Sequence, residues 1–453
     1  MPQRLVSGAF AISGQRCSSL LKLGRLNVID SPKSGHFASS EKLLRNNLIP
    51  TIGLCLLIAS VPMGAGGQNI TSLLVLILWL MSLLRAKPQT LPQDLIKEFR
   101  SCFVVIWAFL LWVIASSLIN GVDENDLLKW SLSWLPFAVF PYITLQLSER
   151  MEVKAPSGTV TAVLSVMILV ILTQRASGWA LSRGDLIWEK YRAQIFYSHP
   201  MTAAYVVGIL FSAMIPKVFS LRELRWKWMW LISGFGFGAF ATESRTVQIA
   251  LVLLTVLISW LQGSAKTKRN VLIVLALLFG SLTVSENRAK QKFMETIENV
   301  KGRSQQGQFV DDRLIFWFVH MKMISDRPLL GYGAEVNQLT REKYYIENGF
   351  RDLRDKYEAH NQYIQWAVES GVVGVILACT WLGLLFRSFW RFSVRFWEMQ
   401  SAAWVTVFLM IAMMTQNAFN DSEVRHALLV VICVALARVG KQLSKEKAQL
   451  LKN

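Results

Sequence analysis

YEAHNQYIQWAVESGVVGVILACTWLGLLF, residues 357–386, is the stretch that decides the fold class of this chain. Its second half has no charged side chain and is apolar enough to form most of one membrane-spanning helix. Polar side chains precede this run, and Gln362 and Glu369 share one helical face because they are seven residues apart. An ionisable residue such as Glu369 inside a membrane span indicates a functional site. Gly371 and Gly374 predict close packing against another helix.

Long apolar blocks recur along the whole chain of 453 residues, of which 53% are hydrophobic and only 17% are charged. Each block has about 15 to 20 residues, which is the length that a helix needs to cross about 30 Å of hydrocarbon. The blocks lack the alternation of apolar and polar residues that a membrane β-barrel requires. The sequence therefore predicts an all-α polytopic membrane protein with about twelve transmembrane helices. The predicted spans are residues 48–64, 70–84, 102–119, 130–147, 158–174, 200–216, 226–241, 245–261, 270–284, 361–386, 401–417 and 427–440.

The distribution of lysine and arginine predicts the orientation of these helices. A net charge of +18 would favour a nucleic-acid partner in a soluble protein, but in a membrane protein basic residues concentrate in cytoplasmic loops. With the N-terminus in the cytoplasm, every short inner loop has at least two basic residues and most short outer loops have fewer. Both termini are therefore predicted to be cytoplasmic. The basic N-terminal segment lacks the apolar core of a secretory signal, and it favours a cytoplasmic tail over an organelle transit peptide.

The predicted spans divide the chain into five regions, and a long outer loop separates the last three helices from the others. A loop of this length is uncommon unless it has a function, and RLIFWFVHMKMISDRP, residues 313–328, has helical spacing within it. The predicted regions are a cytoplasmic tail (1–47), transmembrane helices 1–9 (48–284), a periplasmic loop domain (285–360), transmembrane helices 10–12 (361–440) and a second cytoplasmic tail (441–453).

His360 and Arg245 are the first candidate functional residues, because each lies where the chain enters the membrane from the outer side. His360 precedes Asn361, a favourable N-cap for the next helix; the alternative interpretation is an interfacial hydrogen-bonding residue. Arg245 begins an apolar span, where the N–H groups of a helix and a guanidinium together favour an anion. The alternative for Arg245 is a local ion pair with Glu243.

Arg313 and the segment 175–199 provide the remaining candidates. Arg313 starts the helical segment of the outer loop, where it either binds an anion or is neutralised by Asp311 and Asp312. The segment 175–199 contains basic residues and two tryptophans, a mixture that suits interfacial anchoring and also carbohydrate or pyrophosphate binding. Its candidate binding residues are Arg192, Tyr197 and His199.

Signatures of nucleotide and metal sites do not occur in the sequence. It contains no G-x-x-x-x-G-K-[ST] loop and no G-x-G-x-x-G after a strand. No H-E-x-x-H motif or cluster of histidine, cysteine and aspartate supports a metal site, and no paired carboxylates mark a hydrolase. The sequence therefore predicts no cofactor and no metal, and it disfavours a pump or ATPase.

The motifs in the second half of the chain form a recognisable combination. They are RLIFWFVHMKMISDRPLLGYGAEVNQ (313–338), HNQYIQWAVESGVVG (360–374), SRT (244–246) and RAQIFYSHP (192–200). Together with about twelve spans and a late outer loop, they resemble the O-antigen ligase and polymerase superfamily of bacterial inner-membrane glycosyltransferases. The resemblance covers roughly residues 190–426.

This resemblance implies a helical fold of the GT-C type and a reaction on the periplasmic face of the inner membrane. It implies an undecaprenyl-pyrophosphate-linked glycan as donor, and neither nucleotide nor metal. In the ligases, which this chain resembles most, the acceptor is a sugar hydroxyl of lipid A–core. In the polymerases it is a second lipid-linked glycan. The catalytic residues implied by motif are His360, Arg313 and Arg245, with Arg192 as a further binding residue.

A chemical mechanism agrees with these residues. Arginine side chains stabilise the charge that develops on a pyrophosphate leaving group. A neutral His360 accepts the proton of the acceptor hydroxyl and is oriented by Glu369 or Gln362, and direct displacement inverts the anomeric configuration. Substrate-binding roles are expected for Arg192, Tyr197, His199, Gln362 and Glu369. The alternatives are a polymerase or exopolysaccharide enzyme of the same superfamily, and a secondary transporter or flippase, which is less favoured because the charged groups gather at the outer face.

Overall fold

A computed structural model describes most of the chain between Leu48 and Leu450. The described residues are 48–85, 93–152, 154–177, 179–180, 185–186, 193–197, 199–220, 226–265, 268–269, 272–273, 312–336, 338–350 and 358–450. All of them belong to one structural unit, residues 45–453. The predicted cytoplasmic tail, 1–47, lies outside the described residues.

Helices account for nearly all of the regular structure in these residues. In chain order they are α1 (Leu48–Ala59), α2 (Ala65–Leu84), α3 (Gln93–Ile119), α4 (Glu124–Leu147), α5 (Lys154–Ser177), α6 (Pro200–Ser220), α7 (Trp226–Ala241), α8 (Arg245–Gln262), α9 (Asp312–Asp326), α10 (Gln338–Glu347), α11 (Gln362–Ser393), α12 (Trp397–Ala412) and α13 (Ser422–Leu450). Short 3-10 turns occur at Ser148–Arg150 and Ala418–Asn420, and two-residue strands β1 (Trp179–Ala180) and β2 (Asp185–Leu186) pair antiparallel.

Seven of the described helices are long and apolar enough to cross a membrane. They are α2, α3, α5, α6, α8, α11 and α13, while α1 and the apolar part of α7 are shorter. The predicted all-α polytopic membrane architecture is therefore confirmed. The predicted count of twelve spans is not tested, because most of the ninth predicted span, 270–284, lies outside the described residues.

Several helices extend beyond the apolar spans that the sequence predicts. Helix α3 begins at Gln93, before the predicted start at residue 102, and α13 continues to Leu450, so much of the predicted tail 441–453 is helical. These extensions contain charged residues that pair with one another. Arg391 of α11 lies 2.5 Å from Glu98 of α3. Such ion pairs let a helix continue past the hydrocarbon, where hydropathy no longer marks it.

The centre of the bundle is built around α11, which packs against α3 on one side and α12 on the other. Phe99 of α3 and Phe389 of α11 meet edge to face with ring centroids 5.1 Å apart. Helix α12 in turn packs on α6, where a Cβ at Gly208 would lie 2.2 Å from the ring of Phe408. These contacts fix the ends of α3, α11 and α12 relative to one another.

Helix α11 is interrupted at Gly371, which has φ 65° and ψ −175°. A Cβ at this position would lie 2.0 Å from the carbonyl oxygen of Leu329, in the turn that follows α9. Gly331 in that turn also has a positive φ, 67°, and a Cβ there would lie 2.5 Å from the carbonyl oxygen of Val368. Both positions therefore require glycine, because the turn and the helix backbone are in direct contact.

The carbonyl groups that the break releases are satisfied from outside the helix. The carbonyl of Val368 accepts from the N–H of Tyr332 at 2.8 Å, and that of Glu369 accepts from the N–H of Gly333 at 2.7 Å. The carbonyl of Ser370 accepts from the indole N–H of Trp112 at 2.8 Å. The sequence interpretation of Gly371 as a helix-packing glycine was wrong: it opens the helix so that the turn docks on buried polar backbone.

Candidate active site

A cavity of about 730 Å³ lies at one end of the helix bundle. The C-terminal end of α3, the start of α4, the first half of α11 and the start of α13 surround it, together with the turn after α9 and the 3-10 turn Ala418–Asn420. These are the helix ends that the charge distribution predicts on the outer side of the membrane. The docking of the turn on the broken part of α11 places that turn in the cavity wall.

One side of the cavity is aromatic. Trp130, Trp134, Trp366 and Phe419 line it, and Trp134 and Phe419 stack with ring centroids 5.5 Å apart and planes 9° from parallel. Trp366 lies against both of these rings, at 6.3 Å and 5.7 Å between centroids. Flat rings of this kind cover the apolar face of a ligand.

Most of the remaining lining residues carry charged or amide groups. Their carboxylates are Asp123, Asp126, Glu335, Glu358 and Glu369, and their guanidinium groups are Arg327, Arg341 and Arg425. The pKa of the Glu335 carboxyl is raised, first because it is partly buried and then because Asp126 repels its charge. A cavity with an aromatic side and several hydrogen-bonding groups can bind a polyhydroxylated ligand in one orientation.

Arg425 is the most buried cation in this cavity. Its guanidinium donates to the carbonyl groups of Phe419 and Asn420, the latter at 3.2 Å, and lies over the ring of Trp134 at 5.7 Å. These contacts anchor Arg425 beneath the 3-10 turn. Arg425 was not among the functional residues predicted from the sequence.

The polar residues on one face of the start of α11 have two different roles. Glu369 is buried in the cavity wall and accepts a hydrogen bond from the amide of Gln365 at 2.6 Å. Gln362 does not line the cavity; its Oε1 accepts from the N–H of Phe419 at 2.8 Å and thereby supports the 3-10 turn. Of the polar residues on this face, Gln365 and Glu369 line the cavity.

His360 lies immediately before α11 and has a positive φ of 47°. Its Nδ1 is 2.8 Å from Oε1 of Gln416, and its ring lies 5.4 Å from the ring of Phe316 in the second turn of α9. The expectation that Glu369 or Gln362 orients this histidine was wrong. The residue hydrogen-bonded to the ring is Gln416, which belongs to the loop after α12.

The loop 413–417 connects His360 to the cavity. The amide of Asn417 donates to Glu358, a cavity residue, at 3.1 Å, while the neighbouring Gln416 contacts His360. In the same loop, the hydroxyl of Thr415 donates to that of Thr246 at 2.8 Å. The cavity, the histidine and the start of α8 are therefore joined through three consecutive residues of one loop.

The two predicted catalytic arginines lie at the starts of two helices. Arg245 is exposed at the first position of α8, next to Thr246, which contacts this loop. Arg313 is near the start of α9, three residues before Phe316 and so on the same helical face, and Phe316 contacts His360. Neither arginine lines the cavity itself.

The candidate residues before α6 are less closely associated with the cavity. Arg192 lies outside the described residues. Tyr197 is fully buried, and its hydroxyl donates to the carbonyl of Val61 at 2.7 Å. His199 is exposed, and its Nδ1 accepts from the N–H of Met201 at 3.2 Å. Tyr197 and His199 do not line the cavity. The substrate-binding roles of Arg192, Tyr197 and His199 remain predictions.

One comparison with known proteins concerns this region directly. Residues 228–379 match the family model described as O-antigen ligase. The match is narrower than the resemblance over 190–426, and it contains Arg245, Arg313, His360, Gln362 and Glu369. Among curated proteins no match to this chain was found. The predicted resemblance is confirmed over this segment: residues 228–379 match the O-antigen ligase family.

Proposed function

We propose that this protein transfers a glycan from a lipid pyrophosphate, of the undecaprenyl type, to a sugar hydroxyl of lipid A–core at the periplasmic face of the bacterial inner membrane. The observation that carries the proposal is the position of His360, whose ring is held by Gln416 near a cavity lined by aromatic and charged residues. Ligase and polymerase activities share the donor chemistry, and the family match supports either.

The cavity suits an acceptor or donor glycan. A pyranose ring has an apolar face of C–H groups, which can stack on Trp134 or Trp366, and an edge of hydroxyl groups. Carboxyl oxygens accept hydrogen bonds from hydroxyls, and Glu369 and Glu358 are in the cavity lining. A sugar bound in this way has hydroxyls directed to Glu358, which contacts the loop that holds His360.

His360 is the proposed general base. Where Nδ1 donates to the oxygen of Gln416, the lone pair of the neutral ring is on Nε2. Nε2 then accepts the proton of the acceptor hydroxyl as the new C–O bond forms at the anomeric carbon. The contact with Gln416 also fixes the plane of the ring, so little reorganisation is required in the transition state.

Arg313 and Arg245 are the proposed partners of the leaving group. As the bond from the anomeric carbon to the pyrophosphate oxygen breaks, its electron pair remains on the pyrophosphate. Planar guanidinium groups neutralise this charge with paired hydrogen bonds, and the N-terminus of α8 at Arg245 adds backbone N–H groups. One displacement without a covalent intermediate inverts the anomeric configuration.

The test is a transfer assay with purified, reconstituted protein and a polyprenyl-pyrophosphate glycan. Lipid A–core and a second lipid-linked glycan are offered separately, without added nucleotide. Product on lipid A–core supports the ligase proposal, and product on the second glycan instead makes the protein a polymerase. No product with either acceptor, from protein that is inserted and monodisperse, contradicts both activities.

The role of His360 is tested in the same assay. His360→Ala is expected to abolish transfer while leaving membrane insertion unchanged, because the acceptor then has no base. Gln442→Ala, an exposed change on the final turns of α13, is the matched control for expression and purification. Full activity of the His360 variant would remove the histidine from the mechanism.

A further inference from the structure

A second cavity, of about 470 Å³, lies between α1, α5, α6, α12 and α13, with one residue from α7. It extends along α13 from Val430 to Arg438, a distance of about 12 Å at the helical rise per residue. Arg438 is thirteen residues beyond Arg425 of the first cavity, or about 20 Å along the same helix. The second cavity therefore reaches the opposite end of the bundle, which the charge distribution predicts to be cytoplasmic.

Most of the second cavity is aliphatic. Its lining contains Val160, Leu164, Leu210, Val431 and Val434, and helix α5, which packs chiefly on α7, forms its outer side. A slot of this composition between membrane helices suits a hydrocarbon chain rather than a sugar.

Two cations lie at the predicted cytoplasmic end of the slot. The ammonium of Lys217 and the guanidinium of Arg438 lie over the ring of Trp397, at 4.8 Å and 5.7 Å from its centroid. Glu398 is 2.9 Å from Arg438, and both side chains are mostly buried. The slot thus presents two cations beside one carboxylate among its described lining residues, and Arg438 also donates to the hydroxyl of Ser157.

A buried polar atom supports the presence of a ligand. Ser401 lines the slot one turn from Trp397 and is only 4% exposed. Its hydroxyl has no hydrogen-bond partner among the described residues. Buried hydroxyls normally have a partner, and a ligand with ester or phosphate oxygens supplies acceptors at this depth.

We propose that this slot binds an anionic phospholipid of the cytoplasmic leaflet. One acyl chain occupies the aliphatic part, the phosphate lies between Lys217 and Arg438, and an ester oxygen accepts from Ser401. Basic pockets between membrane helices on the cytoplasmic side recognise lipid head groups in this way. The proposal is independent of the transferase reaction, because the slot shares no lining residue with the first cavity.

Native mass spectrometry of protein equilibrated with dioleoylphosphatidylglycerol or dioleoylphosphatidylcholine tests this site. The wild type is expected to retain the anionic lipid at least about tenfold more than the zwitterionic lipid, which corresponds to about 1.4 kcal/mol. Lys217→Gln is expected to abolish that preference. Ala213→Phe, which fills the slot, is expected to reduce retention of both lipids. Equal retention of the two lipids by the wild type would overturn the proposal.

A matched control separates this site from general attraction to basic residues. Arg391 is exposed at the same predicted end, where it pairs with Glu98. Arg391→Gln should retain the anionic lipid like the wild type, and equal losses for Arg391→Gln and Lys217→Gln would contradict a specific site. Thermal unfolding provides a second measurement: phosphatidylglycerol should raise the unfolding temperature of the wild type and not that of Ala213→Phe, and an equal rise in both counts against the slot.

Discussion

The Oε1 atom of Gln416 lies 2.8 Å from the Nδ1 atom of His360, although 56 residues separate them along the chain. A carbonyl oxygen accepts hydrogen bonds and does not donate them, so this contact favours a proton on Nδ1 and a lone pair on Nε2. The loop after α12 thereby selects the tautomer that a general base requires. Gln416 lies outside the family match over residues 228–379.

Substitution of Gln416 is expected to affect catalysis through His360. Gln416→Leu should lower kcat roughly 10–100-fold, as losses of ring-orienting partners do. Gln416→Glu should retain more activity and move the acidic limb of the pH–rate profile to higher pH, because a carboxylate stabilises the imidazolium. Gln442→Leu is the control. An unchanged kcat and pH profile in both Gln416 variants would rule out a positioning role.

The shape of the Arg313 side chain should matter as well as its charge. Arg313→Lys keeps a positive charge but loses the planar fork that binds two phosphate oxygens. We expect kcat to fall roughly 100-fold, the scale seen when one transition-state donor is lost. Arg391→Lys, at an exposed ion pair on the other end of the bundle, should have little effect. Wild-type kcat for Arg313→Lys would show that only charge is needed there.

Glu369 should contribute to glycan affinity rather than to the chemical step. Glu369→Gln keeps an acceptor for the amide of Gln365, 2.6 Å away in the wild type, but replaces the other carboxyl oxygen with an amide that donates. We expect KM for the glycan to rise about tenfold, since leaving a buried hydrogen-bonding group without its partner costs about 1–3 kcal/mol, with kcat little changed. Glu347→Gln, which changes an exposed ion pair of α10, is the control and should leave KM and kcat unchanged. A fall in kcat with constant KM would instead assign Glu369 a role in the reaction itself.

The break in α11 should depend on glycine at position 371. Gly371→Ala adds a Cβ 2.0 Å from the carbonyl oxygen of Leu329. The backbone there has φ 65° and ψ −175°, a conformation essentially restricted to glycine that costs other residues about 1–3 kcal/mol before the clash is counted. We expect lower yields and a lower unfolding temperature. Gly383→Ala on the same helix has nothing within 4 Å of the added atom and should be neutral or slightly stabilising. Equal stability of the two variants would mean that the break is not required.

Asp421 should make stability depend on pH. Burial raises its pKa to about 6 from an ordinary value of 3.8, against the effect of the hydroxyl of Thr202 at 2.8 Å. The folded state therefore binds the proton more tightly than the unfolded state. The contribution of Asp421 to the free energy of unfolding is fully present below about pH 4 and is lost as the pH rises through about 6.

The measurement is the unfolding temperature in detergent at about pH 4.5 and about pH 7.5. Asp421→Asn should raise it at the higher pH relative to the wild type and change it less at the lower pH. Asp94→Asn, exposed in the first turn of α3, should show no such difference. If the unfolding temperatures of the wild type and of Asp421→Asn change with pH in parallel, Asp421 is not the source of the pH dependence.

The candidate site could be predicted only in part. His360, Arg313 and Arg245 were identified because each occupies the start of a helix after an outer segment, which is a local feature of the sequence. Glu369 was identified because an ionisable residue inside an apolar run is costly unless it has a function. The same argument applies to Arg425, which lies at the start of the last apolar helix, and that signal was missed.

The sequence by itself determined the helical membrane class, most of the helices and the family that residues 228–379 match. These follow from the length of apolar runs and from short motifs, which need no information about distant residues. The tertiary structure decided that Gln416 orients His360, that Arg425 and Glu335 share a cavity with Glu369, and that Gly371 opens α11 for the turn at Gly331. The physical reason is that buried polar groups must be satisfied, and only the packing of helices far apart in the chain determines which partner satisfies each of them.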